Sequence, residues 1–311
     1  MEEVRKGQYS GIGGLAVLEG VMMRNKDKYA VAVRRPDGTV SLRVAHYRAL
    51  LEGSILLRIP FVRGIFVFID SMRLSLRSMN EATGESEEEV AARKEGRQEK
   101  WSDKLMMAGT FLLSFALAIA LFVVAPYFAA NLIASYVRSA ALLSVFEGII
   151  RILIFVGYIL LISRLTDIRR LFGYHGAEHK CINCLETGHT LTLENVREAS
   201  RLHKRCGSSF VLFVMMVSIV LFFFIRVESI PLRLLLRIVL LPVVSGISYE
   251  LIRLAGRNDN LFVRILSAPG FAMQRLTTRE PDDEMIEVGI RSVEAVFDWK
   301  SYLQDTFGYE A

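Results

Sequence analysis

Hydrophobic and polar positions divide the chain into a short patterned front, a series of long apolar runs, and polar connections of unequal length. Near the front, Tyr29 to Arg35 and Thr39 to Val44 partly alternate apolar and polar residues on either side of Pro36-Asp37-Gly38. Period-two alternation about a turn tripeptide predicts a β-hairpin, because successive strand side chains point to opposite faces. Before it, Gly11, Gly13, Gly14 and Gly20 punctuate an apolar stretch from Ser10 to Arg24. This stretch lacks the Gly-Lys-Ser/Thr ending of a nucleotide loop and the spacing of a dinucleotide loop. Its glycines are therefore expected to serve close backbone packing.

From Leu50 to Leu76 the chain is apolar but interrupted by Arg58, Pro60, Arg63 and Asp70, which predicts amphipathic or re-entrant helices at a membrane interface. A run of mixed charge around Glu85-Ser86-Glu87-Glu88-Glu89 then reads as a solvated linker. Four apolar runs follow: Leu105 to Pro126, Ala140 to Ser163, Ser208 to Ile225 and Leu234 to Leu254. Each approaches the roughly 20 residues that a helix needs to cross a bilayer. The expected fold is a mainly α-helical integral membrane protein with about four transmembrane helices and a small cytoplasmic β-hairpin region near the N-terminus. Its expected divisions are 1–49 (Gly-rich and hairpin), 50–79 (amphipathic or re-entrant), 80–104 (linker), 105–163 (first helix pair), 164–207 (His/Cys-rich segment), 208–254 (second pair) and 255–311 (cytoplasmic C-terminal region).

Composition supports the membrane class: 52% of the 311 residues are hydrophobic, and the mean hydropathy is +0.35. A net charge of +5 could suggest nucleic acid. Excess Lys and Arg is ordinary in cytoplasmic loops, so no nucleic acid partner is expected and the lipid bilayer is the expected one. The connections holding Arg138, Arg226 and Arg233 are poor in basic residues, whereas Arg164 to Gly207 carries Arg164, Arg169, Arg170, Lys180, Arg197, Arg201, Lys204 and Arg205. The positive-inside rule then places that segment and both termini in the cytoplasm. Met1 to Ser10 is charged and has no apolar core, so no cleavable signal is expected. Within the second run, Glu147 and Arg151 lie one turn apart and are expected to pair inside the bundle, with an ion path as the functional alternative.

The candidate chemistry lies between the helix pairs. Of the five histidines, His175, His179, His189 and His203 fall there, with all three cysteines, Cys181, Cys184 and Cys206. His175-Gly176-Ala177-Glu178-His179 is an H-x-x-E-H pattern. On a helix its histidines share a face and can hold a divalent metal ion, expected to be zinc, while Glu178 beside them can act as general base. A third ligand could come from Glu250 or from His203 and Cys206, which are expected to share a face of one helix from Thr192 to Gly207. His203 and Cys206 together with the motif would make a closed four-ligand site of the structural kind. Cys181-x-x-Cys184 lacks the βαβ setting of a redox pair. His189 reads as a surface residue and His46 as a packing histidine.

The motifs Gly13 to Arg24, Tyr174 to Lys180, His203 to Phe210, Ser248 to Glu250 and Gln274 to Asp283 resemble the YqhQ-like family of bacterial membrane proteins, described as predicted metal-dependent enzymes. The resemblance implies a multi-pass bacterial inner-membrane protein and supports His175, Glu178, His179, His203, Cys206 and Glu250 as motif positions. It also marks Glu19, Arg24 and Arg279 to Asp283 as parts of one cytoplasmic site. The resulting expectation is a zinc-dependent membrane hydrolase. A structural zinc scaffold and a transporter or metal-handling protein are the alternatives.

Overall fold

The computed structural model describes residues 8–83, 101–137, 139–225, 227, 229–257 and 261–308. Most of the expected charged linker lies outside them, as do Arg138 and Arg226.

The predicted hairpin is present as β3 (Lys28–Arg34) and β4 (Val40–His46), but it is half of a larger sheet. The glycine-rich stretch supplies β1 (Ile12–Val17) and β2 (Gly20–Asn25), giving an antiparallel meander in the order β1-β2-β3-β4. Local sequence obscured these two strands because glycine is a poor strand former and breaks the alternation. Neighbouring strands stabilise them here. Two-residue turns join β1 to β2 and β2 to β3, with Glu19 and Lys26 in the left-handed region at φ 53° in each case.

Both faces of the sheet are covered. On one lies α1 (Val62–Ala82), whose Leu74 packs among Val17, Met22, Tyr29 and Val31. Residues 50–79 thus form one helix preceded by a short 3-10 turn (Ile55–Arg58) rather than two helices. Asp70 anchors that entry, accepting hydrogen bonds from Tyr47 Oη at 2.8 Å and Leu50 N at 2.9 Å.

The long apolar runs become helices. α2 (Trp101–Ile119) continues through a π-helical turn into α3 (Ala125–Asn131), and α4 (Ala140–Ile162) follows. Among the described residues, two stretches are long and apolar enough to cross a membrane, Leu112–Asn131 and Leu142–Ile162. After the His/Cys-rich segment, the next apolar helix is α7 (Gly207–Phe224), in which Ser209–Phe224 is a shorter apolar stretch. The expected fourth run is divided into α8 (Ile230–Val239) and α9 (Leu241–Arg257). Pro242 accounts for the break, since its ring cannot donate and crowds the carbonyl of the preceding turn. Part of the expected C-terminal region instead forms α10 (Leu261–Thr277), which packs along α7. α11 (Asp283–Glu294) and α12 (Trp299–Phe307) complete the chain.

Inside the helical layer, Glu147 accepts from Arg151 at 2.9 Å, as expected, and also from Arg237 of α8 at 2.5 Å.

Candidate metal centre

The H-x-x-E-H pattern lies on α5 (Thr166–Glu186), and the half of this helix from Tyr174 onward is almost entirely buried. One side packs into a core of Tyr174, Ala177, Cys181 and Leu185 with Ile12 and Met23 of the sheet and Ile286 and Val293 of α11. Cys181 and Cys184 belong to this core, and burial pushes both thiols up, Cys184 to about 12. They are inert packing groups at neutral pH.

Polar side chains on the other side of α5 collect backbone carbonyls. Lys180 Nζ donates to Arg197 O at 2.8 Å and Ala199 O at 2.9 Å. Asn183 Nδ2 donates to Ser200 O at 2.6 Å and Leu202 O at 3.0 Å. Those bonds hold residues 199–206 in an irregular path, because carbonyls that would continue a helix are already engaged. The expected helix from Thr192 to Gly207 accordingly ends early, as α6 (Leu193–Glu198). Thr192 caps its start as expected, and Gly207 opens α7 instead of closing a helix.

This irregular path separates His203 from Cys206. Cys206 reaches α5, with Sγ 3.2 Å from His175 Nε2, and the ligand atoms of His175, His179 and Cys206 all lie within 4.8 Å of one another. His203 stays beside the cluster, its ring 5.6 Å from that of His179 and lining the same cleft, but it lies outside the ligand-atom group: its Nε2 is 3.4 Å from Glu186 Oε2, and its backbone N donates to Gln274 Oε1 at 2.8 Å. Glu250 does not reach the cluster either: its carboxylate takes Arg63 Nε at 2.6 Å and a second, shorter bond from Arg63 Nη2. The strong guanidinium partner beside it on α1 accounts for its absence from the ligand group.

The three clustered residues fit a zinc ion chemically. His175 Nδ1 lies 2.8 Å from Thr277 O, and His179 Nδ1 lies 2.7 Å from Arg201 O. A carbonyl can only accept, so each ring donates from Nδ1 and, when neutral, presents its Nε2 lone pair on the side of the cluster, the arrangement typical of metal-binding histidines. Zinc–nitrogen and zinc–sulfur bonds of about 2.1 and 2.3 Å imply ligand separations of roughly 3.5 Å in a tetrahedron. The gap from His175 to Cys206 is close to this.

Glu178 is buried next to the cluster, and burial raises its carboxyl to about 7, opposed by the charge of His175. It rests against β1 at Gly14, where a Cβ would lie 2.6 Å from Glu178 Cγ and 2.7 Å from Oε1. Gly14 is therefore the residue that admits the carboxylate, a role hidden in the sequence. Glu178, His175 and Cys206 line a cleft of about 730 Å³ together with Gly11 to Ala16, Val67 and Leu74 of α1, and Arg205.

Other motif positions brace this arrangement. Glu19 at the β1–β2 turn takes Arg170 at 2.6 and 2.5 Å, and these bonds hold its carboxyl below the usual range despite partial burial. Arg24 faces Asp70 at 3.5 Å. Residues 279–281 strap α5: Arg279 N donates to Phe172 O at 2.8 Å, and Glu280 meets Lys180 at 2.9 Å. Gly176 permits the strap, since a Cβ there would lie 2.0 Å from Arg279 O. Glu186 was missed by sequence reasoning, though it follows His179 by seven residues and so shares its helix face. It takes Ser10 N at 3.0 Å, Ser10 Oγ at 2.9 Å and Arg205 Nη2. His46 is exposed and pairs with Asp27 at 2.9 Å rather than packing inside, while His189 is on the surface as expected.

Fold and site define a mainly helical protein in which a small sheet and α1 flank a largely buried His/Cys cluster. The chain belongs to the family described as "Protein of unknown function (DUF1385)", which matches residues 59–299. It is similar to "Uncharacterized protein YqhQ" of Bacillus subtilis (strain 168), with 36% identity over 286 residues, 90% of each chain. No solved structure matches it.

Proposed function

We propose that this protein is a zinc-dependent hydrolase of the bacterial cytoplasmic membrane, with His175, His179 and Cys206 as ligands and Glu178 as general base. The observation carrying this reading is the convergence of exactly those three ligand atoms within 4.8 Å. Three protein ligands with a remaining position are the composition of a catalytic zinc site, whereas a structural site requires four. Among the described residues no fourth His, Cys, Asp or Glu joins the group, and His203 is engaged by Glu186. Bound zinc would supply Lewis acidity and lower the pKa of a coordinated water. Glu178 would accept that water's proton and return it to the leaving group. The carbonyls of Thr277 and Arg201 would keep both imidazoles oriented through the cycle.

Membrane insertion is part of the proposal. It is supported by the two membrane-length apolar helices and by exposed Leu112, Leu113, Phe115, Leu153 and Leu161 along them, a surface that lipid would cover. The basic character of residues 164–207 favours the cytoplasmic side for the site and both termini.

The test is metal analysis followed by spectroscopy on the cobalt-substituted protein in detergent. Zinc should be bound at one per chain, lost in Cys206→Ser, and retained in Glu178→Gln and His203→Ala. Acetohydroxamate should change the cobalt visible spectrum by entering the remaining position. Zinc loss in His203→Ala together with a spectrum indifferent to hydroxamate would establish a closed structural site and defeat the hydrolase reading.

A further inference from the structure

We infer that the free edge of β1 is a docking strand for an extended polypeptide segment, which makes a peptide chain the substrate class of the site; this rests on the hydrolase reading above. β1 is an outer strand of the sheet, and its edge lies in the cleft shared with His175, Glu178 and Cys206.

The register identifies which backbone groups are available. Leu18 and Glu19 form a two-residue turn, so Val17 and Gly20 are a hydrogen-bonded pair, and bonded pairs recur at Leu15–Met22 and Gly13–Arg24. The intervening residues Ile12, Gly14 and Ala16 direct their N–H and C=O groups away from β2. Ile12 N is taken by Ser10 Oγ at 3.3 Å. Gly14 and Ala16 have no edge partner among the described residues. Their donors and acceptors repeat every second residue, a spacing that another strand matches directly.

Sheet edges are usually protected by charge, proline or a bulge. The opposite edge, β4, carries Arg43 and His46. β1 reads Ile-Gly-Gly-Leu-Ala-Val, without charge, proline or break in register. Gly13 opens the α1 side of the edge, with no atom within 4 Å of where its Cβ would be. An added strand would turn alternate side chains toward Val67, Ser71 and Leu74 of α1, and the others toward Phe172 and Glu178 of α5.

The experiment uses the full chain in detergent and an equimolar library of capped apolar heptapeptides. The best-retained peptide is then remade with N-methyl groups at odd or at even positions. Edge pairing predicts that one pattern weakens binding by at least about tenfold while the other is tolerated, because only alternate N–H groups face β1. Ala16→Pro, which removes an outward N–H and leaves the β2 ladder intact, should weaken the parent peptide about tenfold too. Equal sensitivity to both patterns, or no retained peptide, would overturn the inference. Binding that appears only after deletion of residues 1–7 would place the chain's own N-terminal segment on the edge and overturn it as well. Zinc content of the same samples reports separately on the hydrolase reading, so alternate-position sensitivity in zinc-free protein would sink that reading and keep the docking strand.

Discussion

Glu186 gathers Ser10, His203 and Arg205 around one buried carboxylate, so the N-terminal segment, α5 and the approach to α7 meet at a single group. Burial pushes its carboxyl up, but the bonds from His203 and Arg205 outweigh this and leave it below the usual 4.5. His203 is shifted down from 6.5, chiefly by burial. In both cases the unfolded chain binds protons more readily than the folded one, so stability falls as pH falls. The loss should begin near pH 6.5 through His203 and deepen below pH 4.5 through Glu186. Melting temperatures measured between about pH 7 and pH 4 should decline along both limbs, and Glu186→Gln should flatten the lower one. At pH 7 the same substitution leaves Arg205 without its carboxylate and should destabilise by about 3 kcal/mol in chemical denaturation. Gly14→Ala should displace the Glu178 carboxylate, with a cost of about 1–3 kcal/mol and zinc still bound.

At the scale of elements, α5 is organised by what it holds on each side. Its apolar side faces the sheet and α11, while Lys180, Asn183 and His179 fix the chain after α6 through its carbonyls. Gly176→Ala would drive a methyl group into the Arg279 carbonyl and should lift the 279–281 strap. A loss of at least about 2 kcal/mol is expected in denaturation, with new proteolytic cleavage near residue 280. The helical character of α5 and its paired histidines were legible because i and i+4 spacing is a local property. The path of His203 and Cys206 was not, since it depends on hydrogen bonds to α5 that no local pattern encodes. For the same reason the glycine-rich strands carry no strand pattern of their own and are specified by pairing with the neighbouring hairpin.

Across the whole molecule, the helical layer contains a buried group with unequal charge. One carboxylate, Glu147, serves two guanidiniums, Arg151 and Arg237, while Nε and Nη1 of Arg237 have no hydrogen-bond partner among the described residues. Removing the carboxylate leaves two like charges together, so Glu147→Gln should destabilise by about 3–5 kcal/mol. Arg237→Met leaves a neutral pair and should be tolerated to within about 1 kcal/mol. Melting temperatures of the two variants in one detergent check this asymmetry.

The sequence by itself determined the first three apolar helical runs, the β3–β4 hairpin, the Glu147–Arg151 pair and the two histidines of α5, all of which follow from periodicity or from spacings within a few residues. Only the tertiary structure selected Cys206 over His203 and Glu250 as the companion of those histidines. That choice depends on which distant partner each side chain meets: Glu186 engages His203, Arg63 engages Glu250, and Cys206 faces His175. The free edge of β1 beside Glu178 is likewise a product of assembly, because an edge exists only once the order of the strands is known.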